Sequence, residues 1–480
     1  MARIERHVVS ALALLVLVAV FAATPGYAQN FSVLYEFGSR SGDAAAPYGF
    51  VAQGRDGSLY STSFDGGANG GTNGGDGAVF KITPAAEERV LYSFCSQTNC
   101  SDGESPQSGL TLRADGHFLS AASTGGSQGF GTIFDISQTG SLTTLYNFTG
   151  GKDGGFPAWP PILGTDGNFY GATPNFGAPS GCGTIYGIAG GVFSLLHQFD
   201  GPQGCNPNTL VLAMDGNFYG TTVAGGTTGN GVFFRVTVRP GKSTLVAVLY
   251  NFDGVTLANP QGPLVQGSDG NFYGTTVETR NLSSEIFKIT PSGVPTILHT
   301  MSQTDGTDLF TGLVEATDGN FYGAALRGGN TTVAPCNPAG CGTLFQVTPA
   351  GGFSVLYSFD FTTGAGPSTP VQHTNGLLYG DTGGGGINAR TGVFYSWDAG
   401  LPAFVSFVPD RGKVGSFVEI LGQGFTSSTA VSFNGTPATA TVVSGTYLKA
   451  TVPSGATTGF VSVTTSSGTL TGNKQFVVSP

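Results

Sequence analysis

"DGNFYGTT" occupies residues 215–222 and recurs, letter for letter, at residues 269–276. A shortened copy, "DGNFYGA", stands at residues 166–172 and again at 318–324. With looser copies included, the phrase begins at Asp56, Asp115, Asp166, Asp215, Asp269 and Asp318, and a degenerate seventh starts at Asn375. Successive copies lie 49 to 59 residues apart, the size of a four-stranded propeller blade. Asp-Gly is turn chemistry, and the aromatic pair that follows is strand chemistry. The phrase therefore predicts a two-residue hairpin turn with positive φ, leading into a strand.

Each unit divides into four strand-like runs. One precedes Asp-Gly and one follows it. After a glycine-rich loop comes a third, such as "GTIFDI" from Gly131 or "GTLFQV" from Gly342, and then a fourth, such as "RVLYSF" from Arg89 or "FSVLYSF" from Phe353. Alternating apolar positions rich in β-branched and aromatic residues suit strands packed between neighbouring sheets. The last unit stops after its third run, "GVFYSW" from Gly392, while a lone fourth-type run, "FSVLYEF", stands at residues 31–37. The expected fold is all-β: a seven-bladed β-propeller closed by this N-terminal strand, which removes the exposed edges that an open array would carry.

Composition agrees with many short strands and tight turns. Of 480 residues, 79 are Gly and 36 are Phe, and only 10% are charged while 39% are hydrophobic. That profile excludes a solvated disordered chain. A net charge of −10 gives no electrostatic reason to hold nucleic acid or an anionic membrane surface. Residues 1–28 read as a signal peptide: Arg3 and Arg6, an apolar run from Val8 to Ala23, then Gly26-Tyr27-Ala28 for cleavage. The expected location is secreted or cell envelope, periplasmic or extracellular, with no membrane span once the signal is removed. Runs of six or seven residues are too short for an outer-membrane barrel. In an oxidising compartment the even cysteine count predicts three disulfides, and local pairing of Cys95 with Cys100, Cys182 with Cys205 and Cys336 with Cys341 is the simplest of fifteen arrangements.

From about residue 401 the glycine–aromatic repeat gives way to Val, Ser and Thr in short alternating runs, which predicts a small β-sandwich. The expected division is 1–28 signal, 29–400 propeller and 401–480 sandwich. Two resemblances fit this division. The repeat "DGNFYGTT…GTIFKIT…LYSF" resembles the Gloeo/Verruco-type tandem repeat of bacterial exported proteins over residues 31–397. The tail resembles the IPT/TIG immunoglobulin-like domain through "VPDRGKVGSFVEILGQGF" (408–425), "VSFNG" (431–435) and "ATVPSGATTGFVSV" (450–463). Neither resemblance implies an activity. Some members of the repeat group end in a surface-sorting anchor, whereas this chain ends in "KQFVVSP", so release or non-covalent retention is expected.

A second aspartate series follows the fourth runs: Asp43, Asp102, Asp153, Asp200, Asp253, Asp305 and Asp360. In a propeller these lie on the face opposite Asp-Gly, together with all six cysteines. As candidate ligand-binding groups they point to Ca²⁺ or a hydroxyl-rich or cationic ligand; as turn residues they cap their own loops. Trp159, beside Phe156 and Lys152, is a candidate for stacking on a sugar ring. His117, His197, His299 and His373 each fall on a strand slot, and no G-x-S-x-G, H-E-x-x-H or phosphate-cradling loop is present. The expected function is a non-enzymatic binding or scaffold protein for an extracellular glycan or protein, without catalytic residues, bound metal or required cofactor. The alternative is a carbohydrate-active enzyme, a glycan hydrolase or lyase, using loop-face carboxylates.

Overall fold

The computed structural model describes residues 30–69, 76–177, 179–239, 243–277, 283–332, 334–387 and 391–479. The signal-like segment lies outside them. Among the described residues, 30–398 form seven antiparallel sheets of four or five strands, and 406–479 form two more, one of which includes a parallel pair. The strand Asn30–Glu36 pairs antiparallel with Val393–Asp398, so the lone N-terminal run supplies the strand that the last unit lacks.

The repeated phrase builds each sheet in the same way. In the fourth sheet the Gly216 N–H donates to Ala213 O and the Ala213 N–H to Asn217 O, both at 2.9 Å. Gly216 has φ +81°, and Asp215 is not in the left-handed region. The expected two-residue turn is thus corrected. The loop has three residues, with two in ordinary turn geometry and then a glycine in the left-handed region, the arrangement that matches the twist of the flanking strands. The same pair of bonds recurs at Gly54, Arg113, Gly164, Gly267, Ala316 and His373.

Because side chains alternate along a strand, Phe and Tyr of the phrase face opposite neighbours. Phe218 joins Tyr170 and Ile185 of the preceding sheet, and Tyr219 joins Phe272 and Phe287 of the following one. Ring contacts of this kind link Tyr60 to Phe118 at 4.5 Å, Tyr170 to Phe218 at 4.7 Å, Tyr219 to Phe272 at 4.4 Å and Tyr273 to Phe321 at 3.9 Å. The series returns to its start, for Tyr379 and Phe394 of the last sheet pack with Leu59 and Phe80 of the first. Phe37, just beyond the N-terminal strand, is fully buried in that same cluster.

The C-terminal sheets enclose their own core around Val418, Ile420, Leu448, Val461 and Phe476. They also sit on the Asp-Gly turns, where Leu421 and Tyr447 join Tyr60 and Phe118 in one cluster. Arg55 Nε donates to Glu419 Oε2 at 2.8 Å, and the guanidinium lies 4.8 Å over the Tyr447 ring. The Tyr447 hydroxyl donates to Glu419 Oε1 at 2.9 Å, and the Arg411 guanidinium donates to Ala213 O. The turn face is therefore a docking platform for the sandwich, a contact the separate sequence readings of repeat and tail did not anticipate.

Two outcomes are expected. Phe37→Ala should lower stability by about 3 kcal/mol or more through a cavity at the junction of last and first sheets, measurable by denaturant unfolding. Removing either partner of the Arg55–Glu419 pair alone should cost about 3 kcal/mol, because a charge is left in a mostly desolvated contact. Removing both should cost less than the sum, as a double-mutant cycle would show.

Candidate functional site

The aspartates of the repeated phrase are occupied within their own turns. Asp215 Oδ1 accepts the Asn217 N–H at 2.9 Å, while Oδ2 accepts the Asn217 side-chain amide and the Tyr219 hydroxyl, each at 2.9 Å. Asp166, Asp269 and Asp318 make the same set of bonds, and Asp56 bonds Tyr60 and also Lys81. Burial alone would raise Asp215 and Asp269, but the Asn and Tyr donors hold both below the ordinary carboxylate value.

The second aspartate series behaves alike on the opposite face. Asp102 is fully buried and accepts from the Tyr92 hydroxyl at 2.7 Å and from the Ser96 N–H at 3.0 Å. Asp43 accepts from Tyr35 and Ser39, and Asp153 from Tyr146 and Thr149. His299 replaces the tyrosine at Asp305, with Nε2 at 3.1 Å. Asp200 accepts the Gln203 N–H, Asp253 those of Val255, Thr256 and Leu257, and Asp360 that of Thr363. Asp43, Asp102, Asp153 and Asp305 tie the end of an outer strand to the loop after it, whereas Asp200, Asp253 and Asp360 cap the loop alone. Among the described residues no three of these aspartates converge as metal ligands. The one such grouping is Asp76 with Cys95 and Cys100, two of which are joined to each other.

The disulfides follow the local pairing: Cys95–Cys100, Cys182–Cys205 and Cys336–Cys341. Three such bonds point to a non-cytoplasmic location. Among the described residues no helix is long and apolar enough to cross a membrane. Two of the histidines have structural partners. His117 Nδ1 lies beside Asp135, and His373 Nε2 contacts Gly57 O at 3.0 Å.

What the loop face does present is a pocket of 290 Å³, where inter-sheet loops enter the innermost strands. Trp159 lines it with Tyr48, Phe50, Phe310, Gln107 and Ser368. Trp159 lies 5.5 Å from Phe50, whereas its expected companion Phe156 turns away to Phe130 and Phe176. Tyr48 and Phe310 are 45% and 41% exposed, so large rings stand open to solvent at the rim. The hydroxyls nearby are already engaged: Thr311 donates to Ala324 O, and Thr369 accepts the Gly312 N–H at 2.8 Å.

Behind this wall stands a residue not singled out from the sequence. Asp381 is fully buried; its Oδ1 accepts the Ser368 hydroxyl, and its Oδ2 has no hydrogen-bond partner among the described residues. Burial raises its carboxyl to about 7, opposed by the Ser368 hydroxyl. The signal was legible as a break in the repeat. Where other copies carry Thr221, Thr275 or Ala324, the last reads "LYGD".

At acid pH the turn aspartates should govern stability. Asp253 and Asp360 are raised by burial and, more strongly in sum, lowered by local N–H and hydroxyl donors. Their contribution is complete above the unfolded value of about 3.9 and is lost as the pH falls through the lower folded values. Thermal midpoints should rise as the pH falls through about 7, because the buried Asp381 takes up its proton in the folded chain, and should drop below about pH 4. Asp253→Ala should cost about 1 kcal/mol near neutrality and less at about pH 2.

Comparison with known proteins places these features. The Gloeobacter/Verrucomicrobia repeat model matches residues 68–281, 161–334 and 240–422, and the IPT/TIG domain model matches residues 402–478. No curated protein matches. Similar solved structures include a gluconolactonase from Xanthomonas campestris, 12% identical with TM-score 0.39, over 78% of this chain and 90% of that one. A calcium-binding protein, regucalcin, from Agrobacterium tumefaciens is 11% identical with TM-score 0.37, over 76% and 92%. Likeness at this level carries nothing about activity. With overlapping repeat matches across most of its length, the chain belongs to the Gloeobacter/Verrucomicrobia repeat family and carries a C-terminal IPT/TIG domain.

Proposed function

We propose that the chain is an exported, non-enzymatic binding protein: a seven-bladed propeller over residues 29–400 whose loop-face pocket receives a ligand, with the sandwich of residues 401–480 seated on the opposite face. Seven sheets, and a contact between the last and the first, support the blade number. The single observation that carries the function is the asymmetry of the two faces. One is met by the sandwich through Arg55, Glu419 and Arg411, with polar clefts left between them beside Arg411 and Lys474, while the other opens a pocket rimmed by exposed rings. Exposed aromatic rings around a concavity favour ligand contact, since a ring left in water gains by being covered.

The reading requires no cofactor, and it makes the seven loop aspartates supports of the rim rather than its ligands. The carbohydrate-active alternative would need two carboxylates free to act on one bond. The loop aspartates accept bonds from their own turns, which favours binding over hydrolysis or lysis. Secretion, or retention in the cell envelope, agrees with the three disulfides.

Trp159 offers the test. The chain has two tryptophans, and the other, Trp397, is 3% exposed. A ligand entering the pocket should therefore change the fluorescence of Trp159, and Trp159→Ala should weaken binding about tenfold while leaving the thermal midpoint nearly unchanged. Calcium should leave that midpoint within about a degree, because a ligand stabilises only where it finds free groups. Ligand turnover, or binding indifferent to Trp159, would overturn the reading.

A further inference from the structure

The pocket's chemistry narrows its ligand. Four rings, Tyr48, Phe50, Trp159 and Phe310, stand in its lining, and among the described residues no Lys or Arg does. A sugar would need several free polar partners; the hydroxyls of Thr311, Thr369 and Ser368 already bond to the protein, which leaves chiefly the Gln107 amide and the Tyr48 hydroxyl. Ring faces without hydrogen-bond demand suit either a neutral apolar group or a cation whose charge is spread over methyl groups.

Asp381 decides between them. A neutral apolar ligand gives no use to a fully buried carboxyl one hydrogen bond behind the wall with an unpartnered oxygen, at a position where sister repeats carry Thr or Ala. An uncompensated buried acid is costly, and a cation placed beyond Ser368 would offset that cost. We propose that the loop-face pocket binds an organic cation of the methylated-ammonium class, its head among the four rings and its charge balanced by the carboxylate of Asp381. The inference rests on the reading of this pocket as the ligand seat.

Such a ligand favours the ionised carboxyl, so affinity should rise with pH through the region near 7. The titratable groups facing Asp381 are Tyr395 and Tyr48, with Asp65 beside Tyr48. Burial raises both phenols, which stay neutral across that range.

The experiment compares choline with its neutral isostere 3,3-dimethylbutan-1-ol on the full mature chain, by calorimetry and Trp159 fluorescence. Choline should bind at least about tenfold more tightly, and more tightly at about pH 8 than at about pH 6. Asp381→Asn should remove that preference and the pH dependence while leaving the isostere unaffected. Should that variant fail to fold, Gln107→Lys at the rim supplies the second test, since an added cation there should abolish choline binding. Equal binding of choline and isostere, or choline binding unchanged in the variant, would overturn the cation inference and leave the pocket reading standing. Saturable response to a neutral oligosaccharide without choline binding would do the same. A Trp159 signal that responds to neither probe nor to oligosaccharide would remove both.

Discussion

The fold depends on one constraint: the tyrosine carried by every copy of the phrase except the second, which has Leu119, has to satisfy two demands at once. Its ring must fill the gap to the next sheet, and its hydroxyl must find a partner, because a buried unpaired hydroxyl is costly. The aspartate four residues earlier meets the second demand and in doing so anchors the turn. Tyr219 illustrates this, with its ring against Phe272 and its hydroxyl on Asp215. The phenylalanine one residue earlier receives the corresponding ring from the sheet before. A two-residue step therefore couples each sheet to both neighbours, as Phe-Tyr in four copies and with Leu59, Leu119 or Leu378 replacing one ring in the others.

That same economy explains why aspartates are poor guides to function here. Both series sit at regular spacing on opposite faces, and both serve as acceptors for their own loops. Tyr35, Tyr92 and Tyr146 hold Asp43, Asp102 and Asp153 much as Tyr219 holds Asp215, and His299 takes the tyrosine's place at Asp305. A repeated acid is thus a repeated structural part. The informative acid is the one that breaks the pattern. Asp381 stands in the second strand of the last sheet, behind the pocket, buried and half-unpartnered, where its counterparts are neutral.

The two faces of the ring of sheets have different fates for a physical reason. Tight three-residue turns project little, and together they make a shallow platform that the sandwich can cover with a few directed contacts, Arg55 to Glu419 and Arg411 to Ala213 among them. The loops on the other face are longer, carry the disulfides and leave rings exposed at Tyr48 and Phe310.

Local chemistry made much of this legible in one dimension. The period of the phrase, the orphan run at residues 31–37, the short-range cysteine pairing and the change of composition near residue 401 all depend on neighbours in sequence, or on a repeat comparing itself with itself. The turn type was misjudged by one residue, because Asp-Gly alone does not reveal that the preceding residue joins the loop. Convergence was not legible. Trp159 and Phe156 are close in sequence yet point into different clusters, while Trp159 and Phe50 meet from separate repeats. The sequence by itself determined the repeat, its strands and their hydrogen-bonded turns, since those follow from spacing and side-chain type. Only the tertiary structure decided which face the sandwich covers and which side chains surround the pocket, because those depend on distances between residues that the chain order keeps far apart.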